Sequence, residues 1–181
     1  MEQRHYSSEG IIIARKNYSE ADRIIVVVTK NHGKKRLVVK GVRLPKSRKR
    51  GSLEIFSLIK FSAVKGHGLD IMTEVETVQN FGIIRKDLKK TSVAYFFAEV
   101  TDKLLKEEVK SSETFELLNF YMNELTVSVS LRKLRSDFVY KILIQFGFWP
   151  DKRLLADPDH FLEEVLETKL RTPTIGRKVL S

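Results

Sequence analysis

The chain has 181 residues, with 33 Lys and Arg against 23 Asp and Glu and a formal net charge of +10. That length holds one ordinary domain or two small ones, and 42% apolar with 31% charged residues is the composition of a chain that folds. The absence of cysteine excludes disulfides, thiolate chemistry and Cys-ligated zinc. The N-terminal MEQRHYSSEG is polar and apolar runs such as Ile24 to Val28 are far too short to span a bilayer, so a soluble intracellular protein is expected.

Residues 9 to 16 (EGIIIARK) and 22 to 30 (DRIIVVVTK) are β-branched runs too short for helices, joined by a turn-like Asn17-Tyr18-Ser19-Glu20. Asn31-His32-Gly33 supplies a hairpin turn in which Gly33 can take positive φ. From Lys34 to Gly41 a third strand follows. A period of two puts Lys34, Arg36 and Lys40 on one face with Val38, and Leu37 and Val39 on the opposite, core-facing side. The cationic face would then carry charges about 7 Å apart, near the spacing of phosphates on an extended strand.

The stretch Lys30 to Arg50 contains ten basic residues and no acidic one. From Arg23 to Leu53 there are eleven, so the remaining 150 residues sum to about −1 and the excess charge is one patch. Such concentration costs self-repulsion, and a polyanionic partner is the usual reason to tolerate it. Within it, LPKSRKRG (44 to 51) reads as a flexible basic loop broken by Pro45. Leu53 to Phe61 and Leu69 to Val78 follow as a fourth and fifth strand, the last alternating Leu69, Ile71 and Val75 with Asp70, Glu74 and Glu76.

Five short strands in about 80 residues suit a closed barrel of the OB type, which grips nucleic acid with a basic groove and aromatic platforms. Tyr6, Tyr18, Phe56, Phe61 and Phe81 are the candidate platforms, with Phe61 reading as core and Tyr18 as the best stacking residue.

After Phe81-Gly82 the period changes to about 3.6, which predicts a helical domain over residues 81 to 181 after a barrel over 1 to 80. A first helix begins near Asp87 and buries Val93, Phe96, Phe97, Val100 and Leu104. Ser112 is placed to cap a second, with Phe115, Leu118, Met122 and Leu125 as its stripe. Ser130 is placed to cap a third, lined by Leu131, Leu134, Phe138, Ile142 and Phe146 and ended by Gly147. Beside that stripe, Arg132, Lys133, Arg135 and Lys141 offer a groove for an acidic and hydrophobic peptide. A short acidic helix from His160 to Lys169 and a basic tail to Ser181 close the chain.

No phosphate-binding glycine loop, HExxH, GxSxG or dinucleotide fingerprint is present, and His5, His32, His67 and His160 are far apart in sequence. The sequence supports binding rather than catalysis, without cofactor or metal. Charge alone leaves three readings open: a DNA-binding module, an RNA-binding module of translation or ribosome assembly, and a protein adaptor tethered to DNA.

Taken in order, EGIIIARKNYSEADRIIVVVTKNHGKKRLVVKGVR, GSLEIFSLIKF and KGHGLDIMTEVETVQNFGIIRKDL resemble the RecO family of bacterial recombination mediators, and LRSDFVYKILIQFGFWPD continues the resemblance more weakly. The resemblance implies an α+β architecture, a five-stranded OB barrel followed by an all-α domain. It also implies DNA repair by sequence-independent binding of single- and double-stranded DNA, annealing of complementary strands, and work with RecR and single-stranded DNA-binding protein to load RecA. A nucleoid-associated, cytoplasmic location with no membrane goes with that role. Lys34, Arg36, Lys40 and Arg43 are carried over with the HGK and KGVR motifs as DNA contacts, and Lys35, Lys46, Arg48, Lys49 and Arg50 join them on charge. Many relatives carry a cysteine-rich zinc-binding insertion after the GFWPD-like segment. This chain has no cysteine there and passes directly to its closing helix, so no zinc is expected.

Overall fold

The computed structural model describes residues 4–47, 49–107 and 109–166, with the backbone alone described at Arg50. Arg48, the end of the acidic helix at Lys169 and the tail to Ser181 lie outside the described residues. Two compact units are present. One comprises residues 1–81 with 106–116, the other residues 82–105 with 117–181.

The first unit is a closed barrel of five strands in the order β1-β2-β3-β5-β4. They are β1 (His5–Asn17), β2 (Arg23–Thr29), β3 (Gly33–Val39), β4 (Leu58–Val64) and β5 (Asp70–Gln79). The 13-residue β1 serves two partners. Its first half pairs with β4 (His5 opposite Val64) and its second half with β2 (Asn17 opposite Arg23). Ile12, Ile25, Val27, Leu37, Val39, Val42, Leu53, Ile59, Phe61, Ala63 and Met72 fill the interior. Leu37, Val39 and Phe61 therefore point inward, as their alternation predicts.

Two strands depart from the sequence reading. The fourth begins at Leu58, not Leu53. Leu53 is buried in the barrel core from a loop, and Phe56, also buried, takes φ of 71°. Its N–H donates to the Ile12 carbonyl at 2.8 Å, and Ile12 N–H donates to the Ser57 carbonyl at 3.1 Å. Burial of the ring thus offsets a left-handed backbone. In β5 the register shifts between Ser62/Ala63, which pair with Glu74 and Met72. The extra residue, Thr73, exchanges the two faces, so Met72 enters the core in place of the predicted Ile71 while Val75 still packs against it.

The parallel pairing of β3 with β5 is confined to Leu37 opposite Asp70 and Val38 opposite Ile71. The first residues of β3 therefore need another neighbour on that edge. Residues 106–116, which run beside β3, supply one, with a parallel bridge between Lys34 and Glu107. Gly33 takes φ of +66°, and a Cβ there would lie 2.2 Å from the Val109 carbonyl oxygen. The glycine thus serves both the predicted turn and the seating of this strap.

The second unit holds α1 (Gly82–Lys86), α2 (Leu88–Leu104), most of α3 (Ser112–Val127), α4 (Leu131–Gln145) and α5 (Pro158–Leu166). Asp87 caps α2, accepting from the N–H groups of Lys89 and Lys90 at 2.8 and 3.0 Å. The α3 cap is Ser111 rather than Ser112, its Oγ accepting from Thr114 N–H at 3.2 Å. Ser130 stands at the start of α4 without a side-chain capping bond. Gly147, at φ of 77°, ends α4, with Phe148 N–H reaching back to the Leu143 carbonyl at 2.9 Å. Phe96, Phe97, Tyr121 and Phe138 form an aromatic core, in which Tyr121 donates its hydroxyl to Asp137 at 2.5 Å. Burial and then the Asp137 carboxylate push the Tyr121 hydroxyl well above the usual phenol range.

Replacing Gly33 with Ala is expected to cost at least about 1 kcal/mol, from the left-handed backbone alone, before the clash with Val109. Asp87→Ala is expected to cost about 1 kcal/mol by loss of the cap, whereas Ser130→Ala should stay within about 0.5 kcal/mol. Thermal unfolding of the three variants checks the order.

Candidate nucleic-acid interface

The loop between β3 and β4 is built as a series of turns rather than a loose run. Leu44 N–H donates to the Gly41 carbonyl at 3.2 Å, Ser47 N–H to Leu44 at 3.0 Å, and residues 50–52 form a 3-10 turn. Val42 and Leu53, both in the barrel core, anchor its two ends. Arg15 ties the far end down, pairing with Glu54 at 3.0 Å and donating to the Leu53 carbonyl at 3.4 Å. Lys40, just before the first anchor, is exposed, and between the anchors Arg43 and Lys46 are exposed and Lys49 is half-buried.

This loop is bonded to the turn between β1 and β2. The Arg43 guanidinium donates to the Ser19 carbonyl at 2.6 Å, its backbone N–H to Ala21 at 2.9 Å, and Gly41 N–H to Asp22 Oδ1 at 2.8 Å. Within that turn Tyr18 N–H donates to the Asp22 carbonyl at 3.2 Å, and the Tyr18 side chain remains 62% exposed. One surface thus combines an aromatic face with a group of cations. Of the other aromatic candidates, Phe56, Phe61 and Phe81 are buried. Tyr6 is half-buried, donating to Asp70 Oδ2 at 2.7 Å and packing against His32 at 4.6 Å between ring centroids.

The cationic row expected along β3 is not laid open. Lys34 is only 6% exposed, because the strap runs beside it. Arg36 is exposed but paired with Glu107 of the strap at 2.6 Å. Lys35 lies 5.9 Å from the Tyr6 ring centroid, on the other side of the strand. Lys30, at the hairpin, pairs with Glu116 at 3.2 Å. A separate polar cleft of about 520 Å³ lies across β1, β4 and β5, lined by His5, Tyr6, Ser7, His32, Ser62, Thr73 and Glu74. Folding brings His5 and His32 to one cleft despite their separation in sequence. Burial holds the His32 imidazole below its usual range, with Lys35 and Lys110 adding to the effect against a hydrogen bond to the Ser7 backbone.

Residues 1–81 match the family model described as Recombination protein O N terminal, and residues 85–153 match Recombination protein O C terminal. Among curated proteins, DNA repair protein RecO of Desulforamulus reducens is 31% identical over 165 residues, covering 91% of this chain and 63% of the relative. The Roseiflexus protein of the same name is 30% identical over 150 residues, covering 83% and 53%, and that of Symbiobacterium thermophilum 33% over 113 residues, covering 62% and 45%.

The chain belongs to the RecO family. It spans about half the length of the curated relatives it matches. Among the described residues no helix is long and apolar enough to cross a membrane.

In this RecO-family chain the helical unit gives its predicted groove residues unequal surroundings. Arg132, Lys133 and Lys141 are exposed. Arg135 is not available in the way expected. Its guanidinium pairs with Asp159 and lies 3.9 Å from the Phe96 ring centroid, clamping α5 and α2 to α4. Sequence reasoning also missed Glu107 and Glu116, the partners of Arg36 and Lys30. The only signal for them was the return of acidic residues after α2, and the tertiary pairing that gives those acids their partners leaves no local pattern.

Burial separates two of the candidate contacts. Lys34→Glu places a carboxylate in a covered position beside an acidic strap and is expected to cost about 2 kcal/mol or more. Lys40→Glu, at an exposed position, should change stability by no more than about 0.5 kcal/mol. Denaturant unfolding of both variants checks the contrast.

Proposed function

We propose that this RecO-family chain serves DNA repair and homologous recombination by binding single- and double-stranded DNA without reading its sequence. The observation that carries this is the coupling of the basic β3–β4 loop to the turn bearing Tyr18 on a closed five-stranded barrel. Lys40, Arg43, Lys46 and Lys49 contact phosphates, Tyr18 offers a face to a base, and neither contact distinguishes one base from another. Lys35, Arg48 and Arg50 belong to the same basic stretch and are included as contacts. Lys34 acts through the fold, holding the strap beside β3, rather than through phosphate.

Neutralising phosphates lowers repulsion between two strands, so complementary bases can pair on the protein without a catalytic residue. Annealing in this reading is non-enzymatic and needs neither metal nor cofactor. The curated relatives are named as DNA repair proteins, which supports placing the activity in recombination. RecR and single-stranded DNA-binding protein are the proposed partners, RecA the recombinase loaded in consequence, and the cytoplasm around the nucleoid the place. The face of α4 with Arg132, Lys133 and Lys141 is the proposed site for an acidic peptide of a partner.

If the four loop cations engage about four phosphates, log affinity for single-stranded DNA should fall with log salt at a slope of roughly −3. The triple variant Lys40→Glu, Arg43→Glu, Lys46→Glu should weaken binding equally across oligonucleotides of different sequence. Fluorescence anisotropy titrations measure both. A slope near zero, or losses confined to certain sequences, would contradict the reading.

A further inference from the structure

We infer that the acidic strap, residues 106–116, is an internal competitor that occupies part of the polyanion-binding surface and must yield its ion pairs when DNA binds. The inference rests on the DNA-binding reading above and extends it to the hairpin of β2 and β3. Two cations of that hairpin are involved. Arg36 Nε lies 2.6 Å from Glu107, and Lys30 Nζ lies 3.2 Å from Glu116. Both belong to the basic stretch that continues into the loop, and the partner in each case is a carboxylate of the same short segment.

The strap is held by contacts other than these pairs. It bridges Lys34 through Glu107, Val109 closes over Gly33, and Phe115 is buried with the Lys30 ammonium 6.0 Å from its ring centroid. Backbone docking therefore keeps the two carboxylates at high effective concentration beside the cations. The pairs themselves are weak. All four side chains are about half exposed, with 52% and 51% for Arg36 and Glu107 and 45% and 55% for Lys30 and Glu116. An ion pair that open to water contributes little and is readily exchanged.

This combination suits competition rather than permanent cover. A single anion gains nothing by displacing a tethered carboxylate, whereas a polyphosphate already seated on the loop brings its next phosphates to Arg36 and Lys30 at no further cost in association. The strap thus lowers resting affinity for stray anions and leaves the surface open to long polyanions.

The test is the affinity of a fluorescent single-stranded oligonucleotide for the full chain, compared with the double variant Glu107→Gln, Glu116→Gln. Both substitutions keep shape and hydrogen bonding, so the strap stays folded. The inference predicts tightening by roughly three- to ten-fold, the loss of two exposed pairs. Glu113→Gln, on the same strap but outside both pairs, removes the same type of charge and is predicted to tighten binding by less than two-fold. No change in the double variant, with wild-type binding intact, would overturn the inference and leave DNA binding standing. Equal tightening by Glu113→Gln would reduce the effect to net charge and also overturn it. Absence of binding by both wild type and double variant would overturn the DNA-binding reading and the inference together.

Discussion

The short pairing of β3 with β5 is the constraint on which the rest of the barrel unit depends. A barrel of five strands must close, yet only Leu37 and Val38 of β3 meet β5. The edge of β3 before them carries backbone groups that need partners and a lysine that cannot be left in a dry interior without one. The chain meets that need by bringing residues 106–116 back to the barrel after α2. Gly33 allows the approach, Lys34 is buried by it, and Arg36 and Lys30 acquire carboxylate neighbours. Closure of the fold and electrostatics of the candidate surface are thus set by one segment.

The same arrangement divides the basic stretch into two parts with different roles. Lys30, Lys34 and Arg36 are tied to the strap, while Lys40, Arg43, Lys46 and Lys49 sit on a loop whose own turns and two apolar anchors fix its course. Arg43 is used twice, lending charge to the surface and joining the loop to the turn that carries Tyr18. Holding an aromatic face and several cations on bonded turns reduces the ordering cost of binding a flexible strand. In the helical unit an analogous economy governs Arg135, which the packing of α2, α4 and α5 requires for itself.

Local pattern made much of this legible. Period two in the strands, the glycine turn after Asn31, the change of period after Phe81 and the helix start near Asp87 each express short-range physics. The candidate interface was legible as charge. What the sequence did not show arises between distant residues. The burial of Lys34 depends on a segment some 70 residues later, and alternation along β3 could only predict which residues share a face. The bulge at Thr73 shifts the face of Met72, and Phe56 is buried with a left-handed backbone where the strand pattern predicts extension. The family resemblance anticipated the order of units, but not the return of 106–116 to the first.

The central claim is that a barrel-borne cationic surface brings complementary strands together by neutralising phosphate charge. The measurement that tests it most directly is the annealing rate of two complementary fluorescent oligonucleotides, with and without the protein, at low and high salt. Acceleration at low salt should fade as salt is raised, in parallel with the loss of binding. Binding without acceleration, or acceleration indifferent to salt, would contradict it.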